Sequence, residues 1–468
     1  MSNVITGHNT AFASKDEATF GTALDPAVTD FFRATDLTIT IAEERLARND
    51  IRGGSRSAEA AIRGKRTVEA SLTFDDAPSG TVATAPDVDP LYLTGYAKKT
   101  NAAVYTVQAA PGPATTGATV DDSTGLTVGD ILSVPCADES GAAIAVAVRL
   151  TNIATNALTW APATPNAPVE NATIRSGIQY TLSENNTTSV AMYKYYGIDA
   201  TNYHADLIEC MAGAFATAFE YTIDPGGLTT VAVTMAGKDL ARFPSMGLNE
   251  DIAADKTDWT VDDCRAEIYT AGRGAYIMGD DPDTDETVAV TATDDTNSKV
   301  TVVRSTSAVV AGTYDDEDSM YPYYPGATTA GNSSAGIIGR IYIQGTKYCI
   351  TGATISHTEG SAARMDCFGD ATATGKMNAE QREITVTLSG YLLDDEERWQ
   401  IADRKESTVL MVQAGTQQGS IHAFSLPTVE FEPPAISGAK NEEVPLELTC
   451  MAFAIDGSLE SELRHAYL

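Results

Sequence analysis

The side chains in this chain that could carry chemistry are five histidines, six cysteines and a few clusters of carboxylates. His8, His204, His357, His422 and His465 stand far apart. They lack the HxH or HExxH spacing that would bring two imidazoles to one metal, so they read as structural or exposed residues. Cys136, Cys210, Cys264, Cys349, Cys367 and Cys450 form no CxxC pair. They read as buried free thiols of a chain made in a reducing cytoplasm. The stretch DPDTDE sets Asp281, Asp283 and Asp285 at the alternate positions of a calcium loop. The glycine at the sixth position and the helical glutamate at the twelfth are missing, so an acidic turn is the reading and these three aspartates are the residual metal candidates. In DDEERWQ, Asp394 and Asp395 suit the start of a short helix. A glycosidase pair there would need an aromatic-lined cleft, and only Trp399 is at hand. No GxSxG, Walker or Rossmann pattern occurs. The expectation is a protein without catalytic activity, cofactor or resident metal.

The most unusual chemistry is basic. Arg45, Arg48, Arg52, Arg56, Arg63, Lys65 and Arg66 crowd into one stretch against Asp50 and Glu59, in a chain of formal net charge −33. Without Tyr, Phe or Trp the stretch has no stacking platform for single-stranded nucleic acid. A solvated loop is one reading. Docking onto an acidic surface of another copy of the chain is the other, and it suits the planar fork of arginine, which pairs with carboxylates. The acidity elsewhere disfavours phosphate binding, which depends on cations that displace counterions.

The elements that must position these residues are strands. DLTITIAEE (36–44) and TVEASLTFD (67–75) alternate apolar and polar residues and flank the basic stretch, predicting a hairpin with an oversized loop. DVDPLYLTGYAKK (87–99) suits a short helix, with Asp89 as N-cap and Pro90 at its first position. Residues 100–180 change to Gly, Pro and Thr, predicting a small barrel-like β insertion turned at GLTVGD. Strands are predicted over 188–197, 214–224 and 228–239, with YHADLIECMAG extended between them. The plan then recurs. CITGATISHTEG, an irregular 361–382 and EITVTLSGYL are followed by a short helix over 394–406 and further strands to 456. Between the copies, 246–336 reads as an acidic β insertion facing outward. No apolar run of about 18 residues predicts a membrane helix, and the first residues lack the basic and apolar regions of a signal peptide.

The paired strands around a long loop, DLTITIAEERLARND…RGKRTVEASLTF, and the strand–DPGG–strand unit AFATAFEYTIDPGGLTTVAVTMAGKDL resemble the tail tube (major tail) proteins of long-tailed, siphovirus-type bacteriophages. AFSLPTVEFEPPAISGAKNEEVPLELTCMAFAID looks like the second copy of the latter unit. The resemblance implies a mainly β protein, two tandem β-sandwich tail-tube domains with short helices plus small β insertions. The first would occupy 1–245, with the insertion at about 100–180. The module 246–336 would follow, and 337–468 would hold the second core. It further implies trimeric, pseudo-hexameric rings stacked into a tube that conducts DNA. The partners would be the chain itself, tail terminator and tail tip proteins, and the tape measure protein and DNA in the lumen without tight binding. The setting would be the virion tail, assembled in the host cytoplasm, with no membrane contact. Within that frame Arg45, Arg48, Arg52, Arg56, Arg63, Lys65 and Arg66 are the expected ring-to-ring contacts. In the matching loop, Arg364, Met365 and Phe368 take that part. An acidic adhesin or surface-layer protein is the competing class, and a tail terminator or baseplate ring a third.

Overall fold

The computed structural model describes residues 9–46, 62–109, 113–184, 186–200, 203–262, 274–278, 286–294, 297–304, 313–315, 318–335, 339–367, 369–391, 407–433, 445–454 and 461–468. The chain is mainly β, arranged in several antiparallel sheets. Eight strands carry the principal one: β1 (Asp36–Leu46), β2 (Ile62–Asp75), β3 (Leu207–Ile223), β4 (Thr230–Gly237), β5 (Gly352–Thr358), β6 (Glu383–Tyr391), β7 (His422–Phe431) and β8 (Pro445–Ala452). Alternation is what makes them strands. On β2, Val68, Ala70, Leu72 and Phe74 are buried while Glu69, Ser71, Thr73 and Asp75 face outward. Each large side chain so buried contributes about 1.5–3 kcal/mol.

The pairing registers reveal an internal repeat. In the first half the order is β1-β2-β4-β3, through Asp36↔Thr73, Thr230↔Asp75 and Thr222↔Thr230. In the second it is β5-β6-β8-β7, through Gly352↔Ser389, Tyr391↔Pro445 and Val429↔Ala452. Laying Asp36↔Thr73 on Gly352↔Ser389 also lays Ile39 on Ile355, Leu72 on Leu388, Glu43 on Glu359 and Arg66 on Arg382. The two halves join edge to edge. The second half of β3 pairs with β5 from Ala218↔Thr358 to Ile223↔Ala353, which gives one sheet running β1-β2-β4-β3-β5-β6-β8-β7. A single apolar core lies against it, drawing Leu37, Leu72, Phe219 and Ile223 together with Ile355, Val386, Phe424 and Leu448.

Each half bends into a further layer. The first residues of β3 leave the main sheet to pair with Val190–Tyr196 and Asp239–Pro244. Those of β7 pair with Thr408–Ala414 and with the last strand, Arg464–Tyr467. That last strand continues to Gly177–Leu182 and Tyr96–Asn101. At Gly177, φ is +64°, and a Cβ there would stand 2.1 Å from the Tyr467 carbonyl oxygen. The close approach demands glycine.

Two modules interrupt the plan. In one, Gly117–Thr119, Ala157–Ala161, Ala143–Ala154 and Ile131–Ala137 form a sheet. The bridges Ser133↔Arg175 and Val107↔Val120 close it through Thr173–Ile174 and Tyr105–Thr106, a barrel filled by Trp160, Leu158, Val146 and Val148. The other is a six-stranded sheet from Met246–Gly247 to Ser319–Pro322, cored by Trp259, Ile277, Val290 and Met320. Helix is nearly absent among the described residues. The short helix expected over 87–99 covers only Asp89–Tyr92, and Val88, not Asp89, stands at its N-cap position, with Asp89 and Pro90 as its first two residues. The remainder becomes a strand because Gly177–Leu182 offers it a full ladder, and tertiary pairing overrides local helical preference. The helix expected over 394–406 lies outside the described residues.

Candidate assembly surfaces

The basic stretch is carried by the β1–β2 hairpin, as its flanking alternation predicted. Past Ile41 the described residues of both strands are mostly exposed. The last described rung, Leu46↔Ile62, is apolar, and its side chains are 49% and 56% exposed. Next to it Arg45 stands directly opposite Arg63, a like-charge pair that destabilises a free hairpin. Arg63 reaches Glu43 only at 3.7 Å, while Lys65 is exposed. Arg66 differs from these. It turns back onto its own chain, pairing with Asp239 at 3.1 Å and donating to the Leu240 carbonyl. Arg48, Arg52 and Arg56 lie outside the described residues. The apolar rung was missed in the sequence, where it hides among arginines.

The matching loop of the second half behaves otherwise. Ser361–Arg364 and Gly375–Asn378 form a small hairpin folded back on the chain. Lys376 donates to the Thr94 carbonyl at 2.7 Å and sits over the Phe215 ring, and burial pulls its pKa down to about 8. Arg382 bonds Glu359 and the Ser183 carbonyl, and the Ala371 carbonyl accepts from the Arg66 amide. At the tip Arg364 is exposed and paired with Asp366 at 3.3 Å, and Met365 is half-buried. Phe368 lies outside the described residues.

The ends and the face of the main sheet complete these surfaces. Among the described residues β1 has β2 as its sole strand partner, so its far edge is open over Asp36–Leu46. At the opposite end Val429 is flanked by Ala452 and by Thr408, whereas Glu430–Glu432 have no strand on the latter side among the described residues. The solvent face over this sheet carries Asp36, Glu69, Asp75, Glu220, Glu383, Glu430 and Glu447 amid Thr38, Ser71, Thr234, Thr354 and Thr387. Among the described residues no Lys or Arg projects between them. Lys65 and Arg63 follow on the same side of β2 only beyond the end of β4, where Gly237↔Val68 closes the ladder.

Sequence reading also missed a buried polar cluster. His357, His422 and His465, far apart in the chain, converge in the core, each wholly inaccessible. Asp76, equally buried, accepts from His422 Nδ1 at 3.0 Å, Tyr467 Oη at 2.6 Å and Ser334 Oγ at 2.9 Å. Burial pushes the Asp76 carboxyl up, but the His422, Tyr467 and Ser334 interactions outweigh it and hold its pKa below the ordinary range. On its other side His422 Nε2 shares a hydrogen bond with His465 Nδ1 at 3.0 Å. That leaves His465 Nε2 bare, and burial, with His422 and His357 nearby, drives the His465 pKa far down. His357 meets Tyr96 Oη through Nδ1 at 2.7 Å and lies 2.8 Å from Glu359. The available signal was register: His357 follows Ala353 and Ile355, and His422 precedes Phe424 and Leu426, on the inward side.

Cys136, Cys210 and Cys450 are buried thiols, whereas Cys349 and Cys367 are exposed, against expectation, because both sit outside the inward register of a strand. Among the described residues no group of His, Cys, Asp and Glu could hold a metal ion, and no helix is long and apolar enough to cross a membrane. Asp281, Asp283, Asp285 and Cys264 lie outside the described residues. No family model matches this chain, and no curated protein matches it.

Proposed function

We propose that this chain is a tail tube protein of a long-tailed bacteriophage, three copies of which close a pseudo-hexameric ring. One observation carries the reading: two units with the same strand order lie edge to edge in one sheet, with an edge open among the described residues at either end. The β3–β5 junction is head-to-tail, and a repeated head-to-tail contact closes into a ring when its rotation permits. Closure also covers the long open edge of β1, which is otherwise an aggregation hazard. On this reading each half is a β-sandwich tube domain, 1–245 and 337–468, with 100–180 and 246–336 as outward modules. The acid- and hydroxyl-bearing face lines the lumen. A wall without cations gives DNA no counterion-releasing contact, and each carboxylate repels a phosphate by about 0.4 kcal/mol at 10 Å in water before screening.

The basic hairpin then docks one ring on the next, through Arg45, Arg63 and Lys65 at its described end and Arg48, Arg52 and Arg56 beyond it. Exposed ion pairs are worth about 0–1 kcal/mol each, so stacking depends on many at once and weakens with salt. The partners are the chain itself, the terminator and tip proteins, and DNA and tape measure passing without tight binding. The role is structural rather than catalytic. Native mass spectrometry with electron microscopy tests it: the expected species are trimeric rings and stacks of them. A stable monomer at high concentration, or a ring of six full chains, overturns it. Changing Arg48, Arg52 and Arg56 together to Glu should leave rings and shorten tubes.

A further inference from the structure

The strand Arg464–Tyr467 joins three parts of the molecule. It pairs with Gly177–Leu182 on one side and with β7 on the other. Alternation sends Leu463 and Tyr467 into the main core, and Ala466 and Leu468 into that of the barrel. Arg464 adds an ion pair to Asp130 of the barrel at 2.7 Å. Four rungs hold the strand on either side, where β2 and β4 share eight.

His465 lies on the main-core face of this strand, opposite Tyr180 in one ladder and Phe424 in the other. The elements packed on it bring titratable and charged groups from every side. β7 brings His422, and Asp76 follows the end of β2. The Asp89–Tyr92 turn brings Tyr92, edge-on at 5.1 Å, with Asp89 behind the Tyr180 hydroxyl. Tyr180 comes from the adjoining strand, Tyr96 from the one beyond it and Tyr221 from β3. β5 brings His357 and Glu359, with Arg382 beside them. These carboxylates are engaged elsewhere. Asp76 holds His422, Tyr467 and Ser334, Asp89 holds Tyr180 and Lys98, and Glu359 holds Arg382. Glu462, earlier in the same segment, acts on His357. A second proton on His465 would make both ring nitrogens donors. Nδ1 has His422, whereas Nε2 has no acceptor among the described residues. His357 differs, since Glu359 stands 2.8 Å from its Nε2.

We infer that His465 is an acid-sensitive latch, whose protonation releases Arg464–Leu468 from both ladders and loosens the barrel's seat on the body while the main sheet stays folded. The latch works whether or not the chain forms rings. Burial, with His422 and His357 nearby, holds the His465 pKa well below the ordinary 6.5 while the strand is seated. The released strand regains the ordinary value, so the open state takes the proton first. The latch is therefore closed at neutral pH, and its opening constant rises about tenfold per pH unit once pH falls below about 6.5. Short ladders make this a local opening rather than a global one.

Hydrogen exchange of the full-length chain tests this, with each amide corrected for its intrinsic rate. Between pH 6.5 and 5.5 the protection of Arg464–Leu468 should fall about tenfold and lie below that of Val386 and Leu388 in the main sheet. His465→Phe keeps an aromatic ring without a titrating nitrogen, and its protection there should stay constant over that range. His357→Gln should respond as the wild type does. A loss shared equally by strand and main sheet, no loss in the strand, a loss that persists in His465→Phe or a response abolished by His357→Gln overturns the latch. Where His465→Phe does not fold, the comparison of strand and sheet in the wild type still decides.

Discussion

His465 is enclosed by aromatic rings, with Tyr180 stacked at 4.8 Å, Tyr96 edge-on at 4.6 Å and no partner for Nε2. Its proton has nowhere favourable to go. With folded pKa values of His465 and His357 held below the ordinary 6.5, the unfolded chain takes up protons first as pH drops. Stability is therefore full above about pH 6.5 and lost below it, at about 1.4 kcal/mol per pH unit for each histidine. Urea unfolding of the chain between pH 7.5 and 5 should show this slope. His465→Phe should flatten it by one histidine's share, at the expense of leaving His422 Nε2 without its partner, about 1–3 kcal/mol. A slope unchanged by the substitution would place the titration elsewhere. None of this was legible as chemistry in the sequence. His357, His422 and His465 looked unrelated because their meeting depends on which strands become neighbours, and alternation gives each strand a buried side without saying what it faces.

At the scale of elements, the β1–β2 hairpin was legible down to its inward residues, since Leu37, Val68 and Leu72 follow a strict period of two. The fate of the two long loops was not. Both interrupt equivalent hairpins and both carry arginines, yet one is anchored by Lys376 and Arg382 to Thr94 and Ser183, and the other is flanked by strand ends that are exposed up to Leu46 and Ile62. Those anchors come from residues almost two hundred or more positions away. Two variants separate the jobs of the hairpin. Ile41→Lys puts a charge on the open edge of β1, where Ile41 is already partly exposed. It should change unfolding free energy by less than about 1 kcal/mol and sharply reduce rings, because an inward charge on an edge strand blocks pairing. Arg45→Glu faces Arg63 across the hairpin. It should stabilise the isolated chain by about 0.2–1 kcal/mol and shorten tubes seen by electron microscopy. Longer tubes would remove the arginines from stacking.

For the whole molecule, the barrel module is less separable than its composition suggests. Tyr96–Asn101 and Gly177–Leu182, at its borders, belong to the body, and its core continues into Met411, Ile421, Ala466 and Leu468. A deletion confined to 103–174 should still form rings, but with Met411, Ile421 and Leu468 uncovered it should lose about 1.5–3 kcal/mol for each, read as a lowered Tm. Loss of folding altogether would make the module part of the core. The broad β class and the recurrence of the plan could be read from alternation. The union of the halves could not, because β3 pairs with β5 over a separation that contains an entire module. On the ring reading proposed above, that union bears on how fast a ring forms. When two subunits meet in solution, association forfeits an estimated 4–15 kcal/mol of translational and rotational freedom. The β3–β5 contact escapes that toll, since its two sides are tethered by one polypeptide and meet at a high effective concentration. A nucleus then needs fewer collisions, its formation rate has a lower reaction order in protein, and assembly can begin at dilutions where the separated halves would stay apart.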